Sequence, residues 1–167
     1  MMFSREDLIE GTGATVLKCT DIDDNASFNI STDTRTIQKG DIYLPLKGET
    51  FDGENFIDKA LESGAVGYFT TGDEIFNEAN FALKVPDTKE AYLNLAKLYR
   101  NRINPITVAI TGSSGKTTTK EMVYSVLSQK FKTQKTFSNH NNEVGFCQTV
   151  LGMTKDTEAL IVEMGMR

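Results

Sequence analysis

The sequence predicts an α/β protein built from two parts. Strand and helix patterns alternate through the first half of the chain, as they do in α/β domains. The second half opens with the β-branched run Ile106–Ile110, which passes through a glycine-rich loop directly into a helix. We therefore predict a first domain over residues 1–85, a connecting helix over 86–104, and the beginning of a doubly wound domain with a phosphate-binding loop over 105–167.

The elements of the first part are predicted from helix-capping residues, from alternating apolar and polar residues, and from glycine and proline residues that end helices and strands. Ser4 begins a short helix, with Asp7 at the capping-box position and Gly11 as the stop. The later patterns predict a strand over Phe28–Ser31, a strand over Ile42–Leu46, a helix over Glu54–Ser63, and strands over Ala65–Thr70 and Phe81–Val85.

The second part is introduced by a helix over Thr88–Asn101 that Asp87 can cap. After the buried strand Ile106–Ile110, a helix is predicted from Thr117 to about Phe131, with Met122, Val123, Val126 and Leu127 on its apolar face. A further helix over Gly145–Leu151 and a buried strand within Glu158–Arg167 complete the pattern.

Composition narrows the function classes. The 167 residues are 39% hydrophobic, which suffices for a core, and carry a net charge of −5 without a long run of either sign. These properties argue against nucleic-acid and membrane partners but allow small anionic ligands. Cys19 and Cys147 have no Cys or His nearby at metal-ligand spacing, so we expect reduced thiols. The first residues contain no apolar run of signal-peptide length, and we expect a cytoplasmic protein.

The stretch VAITGSSGKTTT, residues 108–119, carries the clearest chemistry. Backbone N–H groups and the start of a helix suit phosphate, Lys116 offers a mobile cation, and Thr117 offers a hydroxyl for Mg²⁺. The common pattern G-x-x-x-x-G-K-[ST] would need glycine in place of Ile110. Ile110 lies inside the strand, so this loop is a shorter version. The alternative is a flexible turn with a solvated lysine. It is less favoured, because it does not account for a buried strand before the loop, a helix after it and G-K-T in that order.

Two further features have both a functional and a structural interpretation. Glu163 follows four apolar strand residues, where a carboxylate commonly faces Mg²⁺, although a carboxylate can also emerge there by chance. The amide-rich segment over residues 136–145 suits peptide or sugar ligands, or it is a capped loop before the next helix. His140 receives no role.

Taken together, these motifs resemble the Mur ligase family. Thr111–Glu121 resembles the family's ATP-binding signature T-G-[ST]-N-G-K-T, and Ser31–Arg35 with Leu46–Gly53 resembles its first, UDP-sugar-binding domain. The continuation T-T-K-E, the segment S-N-H-N-N-E-V-G and the closing E-M-G-M resemble members that add D-Ala-D-Ala to UDP-MurNAc-tripeptide. Ser114 stands where the family usually has Asn, Glu54 where many members have His, and Ser138 where Gly is usual.

The resemblance implies an ATP- and Mg²⁺-dependent amide ligase of peptidoglycan precursor synthesis that works through an acyl phosphate. It implies catalytic roles for Lys116 and Glu163 and metal binding by Thr117 and Glu163. The implied ATP site comprises Thr111, Gly112, Ser113, Ser114, Gly115, Lys116, Thr117 and Thr118. The implied UDP-sugar site comprises Ser31, Thr32, Asp33, Arg35, Lys47, Phe51, Asp52 and Gly53, and the muramoyl-peptide site Asn139, Asn141, Asn142 and Glu143. Arg35 and Lys47 can equally be ordinary surface charges.

Members of the family continue beyond the segment that corresponds to this chain. We therefore expect an N-terminal portion of a ligase, inactive alone, whose full-length enzyme is a monomer. The alternatives are another Mur-type ligase, another phosphate-loop NTPase or kinase, and a non-catalytic UDP-sugar-binding module.

Overall fold

The computed structural model describes residues 2–48, 50–137 and 142–165. They form two compact units, one comprising Met2–Leu95 and the other beginning at Ala96. Both units combine helices with parallel strands, which confirms the predicted α/β class. The division falls inside the helix that was predicted to connect the domains, so the domain limits at residues 85 and 105 stay a prediction.

The first unit is built on a five-stranded sheet. Its elements are β1 (Phe3–Ser4), α1 (Arg5–Glu10), β2 (Thr15–Cys19), β3 (Ser27–Phe28), β4 (Ile30–Ser31), β5 (Ile42–Tyr43), α2 (Ile57–Glu62), β6 (Gly67–Thr70) and β7 (Phe81–Lys84). The strand order is β2-β7-β6-β5-β4, antiparallel between β2 and β7 and parallel elsewhere. The strands β1 and β3 form a separate antiparallel pair. All four residues of β6 are buried, so the core lies at the middle of this sheet.

Local sequence signals account for several of these elements. The predicted capping box is present: Asp7 N–H donates to Ser4 Oγ at 3.0 Å, and Ser4 N–H donates to an Asp7 carboxylate oxygen at 2.9 Å. The predicted strand Phe28–Ser31 is divided, because β3 pairs with β1 whereas β4 pairs with β5. The predicted helix Glu54–Ser63 begins as a 3-10 turn over Gly53–Phe56 before α2.

The second unit is built on a three-stranded parallel sheet in the order β8-β10-β9. Its elements after α3 (Thr88–Ile103) are β8 (Ile106–Ile110), α4 (Lys116–Leu127), β9 (Thr133–Lys135), α5 (Glu143–Leu151) and β10 (Ala159–Glu163). The central strand β10 is buried at all five positions. Tyr99 of α3 donates its hydroxyl hydrogen bond to the Met153 carbonyl at 2.9 Å.

Two expectations about burial in the second unit are wrong. The strand β8 was predicted to be buried, but three of its five residues are exposed, because β8 is an edge strand among the described residues. The apolar face predicted for α4 is also largely open: Met122 and Val126 are exposed, and Val123 and Leu127 are only partly covered. Apolar periodicity identified both elements correctly but did not determine which neighbour covers them.

In the described part of the chain, no helix is both long and apolar enough to cross a membrane.

Candidate functional site

The loop between β8 and α4 has the backbone geometry of an anion site. Gly112 has φ of 150° and Gly115 has φ of 73°, a region that favours glycine. Gly115 is the N-cap residue of α4, and since glycine has no side chain, it cannot cap the first N–H groups of the helix. The first turn, Lys116–Thr119, contains no acidic residue. Free N–H groups and the positive end of the helix dipole therefore face this loop.

Lys116 folds back over the loop that precedes it. Its Nζ donates a hydrogen bond to the Gly112 carbonyl oxygen at 2.8 Å, and the side chain is partly buried. This contact holds an ammonium group beside the uncapped end of α4. The loop and Lys116 thus present their positive charge to the same space, as phosphate binding requires.

Thr117 and Glu163 are in contact although they lie 46 positions apart in the sequence. The Thr117 hydroxyl donates to the two Glu163 carboxylate oxygens at 3.1 and 3.3 Å. Glu163 ends β10 opposite Ile110, and its N–H donates to Thr136 Oγ1 at 3.1 Å. The register of two parallel strands therefore places the carboxylate beside the start of α4.

These oxygen donors fit a magnesium ion that is bound together with phosphate. Mg²⁺ prefers oxygen ligands and usually takes one or two protein groups, with phosphate and water supplying the others. Thr117 and Glu163 supply that number of side chains. Over residues 2–48, 50–137 and 142–165, no cluster of three or more His, Cys, Asp or Glu side chains is arranged to hold a metal. The site therefore suits a metal–nucleotide complex better than an isolated ion.

Sequence reasoning missed Lys120, which completes this cluster. Its side chain is only 1% exposed, and its Nζ lies 3.2 Å from Glu163 Oε2 and 3.9 Å from Glu121 Oε1. Lys135 pairs with the other oxygen of Glu121, which lowers the pKa of Glu121. The sequence did contain one indication of Lys120: it follows Lys116 by one helical turn and so lies on the same side of α4. That helix packs against β10.

In the first unit, the predicted UDP-sugar residues around Ser31 form a hydrogen-bonded turn. Ser31 Oγ donates to the Asp33 carbonyl at 3.1 Å, and Thr32 lies between them, partly buried. Arg35 donates to the Asp33 carboxylate from Nε at 2.9 and 3.1 Å, from Nη2 at 2.6 Å and from its backbone N–H at 3.0 Å. These hydrogen bonds lower the pKa of Asp33 to about 2 and raise the pKa of Arg35.

The second predicted group, Lys47 to Gly53, forms a tight reversal of the chain. Lys47 pairs with Asp52 at 2.9 Å, and the pair lowers the pKa of Asp52 and raises that of Lys47. A Cβ on Gly53 would lie 2.6 Å from the Leu46 carbonyl oxygen, so the close approach requires glycine. Phe51 is half exposed at the end of this reversal.

Tyr43, which no sequence motif singled out, links these two groups. It lies opposite Ser31 in the pairing of β4 and β5, and its buried hydroxyl donates to the Gly53 carbonyl at 3.0 Å. Burial, with the charges of Asp33 and Asp52 nearby, raises the pKa of Tyr43 to about 12. Through Tyr43, the structure therefore brings the Ser31 and Gly53 regions close together.

Glu54, which departs from the family pattern, has a local structural role. Its carboxylate accepts hydrogen bonds from Thr70 Oγ1 at 2.9 Å and from the Thr71 N–H and hydroxyl at 2.8 and 2.7 Å. These contacts fix the turn after β6.

The amide-rich segment is described only in part. Asn142 caps α5, because its side-chain oxygen accepts the Gly145 N–H at 2.8 Å, and Glu143 is the first residue of that helix. This geometry agrees with the alternative of a capped loop before the helix. Asn139 and Asn141, together with Ser138 and His140, lie outside the described residues. The muramoyl-peptide assignment of this segment stays a prediction.

Comparison with protein families finds two matching models, one in each part of the chain. The model described as "Mur ligase family, catalytic domain" matches residues 28–101, and the model described as "Mur ligase middle domain" matches residues 110–167. The chain belongs to the Mur ligase family. The family resemblance found in the motifs is thus confirmed.

Two Mur ligases that are similar to this chain have the same name. The UDP-N-acetylmuramoyl-tripeptide--D-alanyl-D-alanine ligase of Synechocystis is 44% identical over 140 residues, which cover 83% of this chain and 31% of that protein. The ligase of the same name from Bacillus subtilis is 39% identical, over 82% of this chain and 30% of its own length. The chain spans about a third of the length of the curated relatives that it matches.

Solved Mur ligase structures share the fold. A crystal structure of MurF from Acinetobacter baumannii matches with a TM-score of 0.90 and 33% identity, over 99% of this chain and 36% of that one. The MurF ligase of Thermotoga maritima in complex with ADP matches with a TM-score of 0.74 and 33% identity, over 82% and 32% of the two chains.

Proposed function

We propose that this chain carries the ATP-binding loop and the UDP-sugar-binding surface of a cytoplasmic ligase that joins D-Ala-D-Ala to UDP-MurNAc-tripeptide. The observation that carries the proposal is the meeting of Lys116, Thr117 and Glu163 at the uncapped end of α4. The names of the relatives support the choice of substrates.

The reaction requires that a stable carboxylate be activated. The terminal carboxylate of the tripeptide attacks the γ-phosphorus of ATP, an O–P bond forms, and ADP leaves. The amine of D-Ala-D-Ala then attacks the carbonyl carbon of the acyl phosphate, inorganic phosphate leaves, and the nitrogen loses a proton. Because ATP supplies the leaving group, the protein acts mainly by positioning the reactants and neutralising charge.

The loop residues have distinct roles in this scheme. Lys116 and the N–H groups at the start of α4 hold the β- and γ-phosphate oxygens. Thr117 and Glu163, whose side chains are in contact, would hold the metal. The chemistry that Mg²⁺ supplies at such a site is neutralisation of phosphate charge. Thr111, Ser113, Ser114 and Thr118 border the same loop.

The first unit would bind the sugar nucleotide through the surface that carries the exposed side chains of Arg35 and Lys47. Arg35 and Lys47 are the cations of that surface, and both are now paired with carboxylates, Asp33 and Asp52. Their side chains are 82% and 76% exposed, so a diphosphate can reach them. Arginine and lysine are suited to phosphate oxygens, arginine through two parallel hydrogen bonds.

Separate calorimetric titrations with UDP-MurNAc-tripeptide and with Mg·ATP test the proposal. Binding is the suitable measurement, because this chain spans only about a third of its relatives' length. We expect both ligands to bind and Lys116→Ala to weaken only the nucleotide. Lys130→Ala, which removes a lysine whose Nζ lies over the Phe131 ring, is the matched control and leaves both affinities unchanged.

Other outcomes discriminate between functions. Binding of neither ligand would contradict both site assignments. UDP-sugar binding without nucleotide binding would favour a non-catalytic sugar-nucleotide-binding module over the ligase.

A further inference from the structure

Lys120 and Glu163 form a buried ion pair. A contribution to protein stability is not sufficient to explain why this pair is present. The two side chains are 1% and 5% exposed, and their charged atoms lie 3.2 Å apart. Removing two charges from water offsets much of their attraction, and apolar residues of similar volume often stabilise a protein equally well. A buried pair of this kind is better explained by the geometry that it imposes.

The ion pair fixes the position of the Glu163 carboxylate. Lys120 contacts Oε2 of Glu163, and Thr117 donates to both oxygens from the preceding turn of the same helix. The main chain of Glu163 is fixed separately, by the Thr136 hydroxyl and by pairing with Ile110. Two side chains of α4 therefore determine where the carboxylate points once the strand has fixed its backbone.

The two lysines of this helix face different groups. Lys116 reaches the Gly112 carbonyl at the loop, where a phosphate would bind. Lys120, one turn later, faces Glu163 and, at 3.9 Å, Glu121. Because Lys120 is buried against these carboxylates, it is not placed to contact phosphate.

We propose that Lys120 is a positioning residue that holds the Glu163 carboxylate against Thr117, so that both oxygen donors of the metal site are in place before a metal–nucleotide complex binds. This inference rests on the proposed nucleotide function of the loop. Lys120 should therefore affect the increase in nucleotide affinity that the metal causes. It should not affect the affinity that Lys116 and the backbone N–H groups provide without metal.

The test compares the binding of a non-hydrolysable ATP analogue with and without Mg²⁺ in the 167-residue chain. In the unmodified protein, we expect Mg²⁺ to increase the affinity. In Lys120→Met, we expect unchanged affinity in EDTA and a loss of about 10–100-fold in the Mg²⁺-dependent increase, as is usual when a group that orients a metal ligand is removed. Mn²⁺ binding to the analogue complex, followed by electron paramagnetic resonance, should weaken in parallel.

Three variants separate positioning from a general structural effect. Lys120→Arg keeps the charge and should restore part of the Mg²⁺ effect. Lys135→Met removes the lysine on the other side of Glu121, which does not contact Glu163 in any described ion pair, and it should leave the Mg²⁺ effect intact. In Lys120→Met/Glu163→Gln, the Mg²⁺ effect should be no smaller than in Glu163→Gln alone, because Lys120 acts through that carboxylate.

The proposal is overturned if folded Lys120→Met retains the full Mg²⁺ effect, or if it loses affinity equally in EDTA and Mg²⁺. If Lys120→Met does not fold, Lys120→Gln decides the question by the same two criteria. A wild-type protein that binds the analogue without any Mg²⁺ effect overturns this inference alone. A wild-type protein that binds no analogue under either condition overturns the proposed function of the loop as well.

Discussion

The two units of the molecule hold their charged residues in opposite ways. In the first unit, Arg35 pairs with Asp33 and Lys47 with Asp52 at the surface, where water surrounds both cations. In the second unit, Lys120 and Glu163 pair with almost no exposure, between a helix and the central strand of a sheet. The first pairs can exchange partners when a ligand arrives, whereas the second cannot do so without opening the fold.

This difference indicates two modes of ligand binding. Exposed ion pairs contribute little to stability, because water competes for each partner and salt screens the attraction. Their cations are therefore available to an anionic ligand at small cost. A buried pair fixes one arrangement, which suits a metal site that must be formed before its ligand binds.

The largest expected effect comes from breaking the buried pair. Lys120→Met leaves the Glu163 carboxylate buried without its cation, and we expect the free energy of opening around β10 to fall by about 3–5 kcal/mol. Hydrogen exchange of the β10 amides measures this change. Lys120→Met/Glu163→Gln should recover much of the loss, because no unpaired charge remains. The distinction between buried and exposed pairs fails if Arg35→Gln destabilises the first unit by as much.

The next effect concerns the partly buried lysine of the loop. Lys116→Ala removes the contact that we propose to phosphate, and because a charge-assisted hydrogen bond is worth about 1.5–3 kcal/mol, nucleotide affinity should fall by about 10–100-fold. Calorimetry measures the affinity, and circular dichroism checks the fold. An unchanged affinity would contradict the assignment of Lys116 to the phosphates.

A backbone change in the first unit should have a smaller effect. Gly53→Ala places a Cβ 2.6 Å from the Leu46 carbonyl oxygen and 2.8 Å from the Leu46 nitrogen. The chain reversal must shift, and we expect a loss of about 1–3 kcal/mol in unfolding experiments. Gly72→Ala is the matched control, since its new Cβ would lie 3.6 Å from the nearest atom, Thr70 Oγ1. Equal losses in the two variants would show that crowding at Gly53 is not the cause.

The smallest effect on stability, and the clearest on titration, concerns Asp33. Arg35 lowers its pKa to about 2 from an ordinary value of 3.8. Because the folded-state pKa is depressed, the stabilisation is present above the unfolded pKa and is lost as pH falls from about 4 to 2. In Arg35→Gln, we expect the pKa of Asp33 to rise towards 3.8 and this pH dependence to become smaller, since the backbone N–H of residue 35 still donates to Asp33. Carboxyl-carbon chemical shifts in an NMR titration report the pKa, and a value that stays near 2 in the variant would contradict the role of Arg35.

Much of the candidate site was predictable because its residues lie next to one another in sequence. The loop Thr111–Thr118 combines a strand, two glycines, a lysine and a threonine within a few positions, and the structure has this arrangement. The family resemblance assigned Thr117 and Glu163 to one metal, and the structure places their side chains in contact at 3.1 Å, whereas the metal itself stays a prediction. Lys120 and Tyr43 were missed because each acts through a contact made by a distant segment.

The fold shows the same division. Long periodic segments such as α3 and α4 were predicted as helices, and the capping box at Ser4 was predicted in detail. Three strands were not predicted: β1 and β9 contain only two and three residues, too few for a period to be read, and the five-residue strand β2 was also missed. The division of Phe28–Ser31 depends on which partner each half pairs with.

By itself, the sequence determined the α/β class, the capped helices, the phosphate-type loop and the family, since these depend on residue type and short spacing. Only the tertiary structure decided that β8 is an exposed edge strand among the described residues, that Tyr43 joins the Ser31 and Gly53 regions, and that Lys120 is buried against Glu163. The physical reason is that burial and ion pairing depend on the surface that another segment presents. That surface is defined only when the strands have taken their order and register.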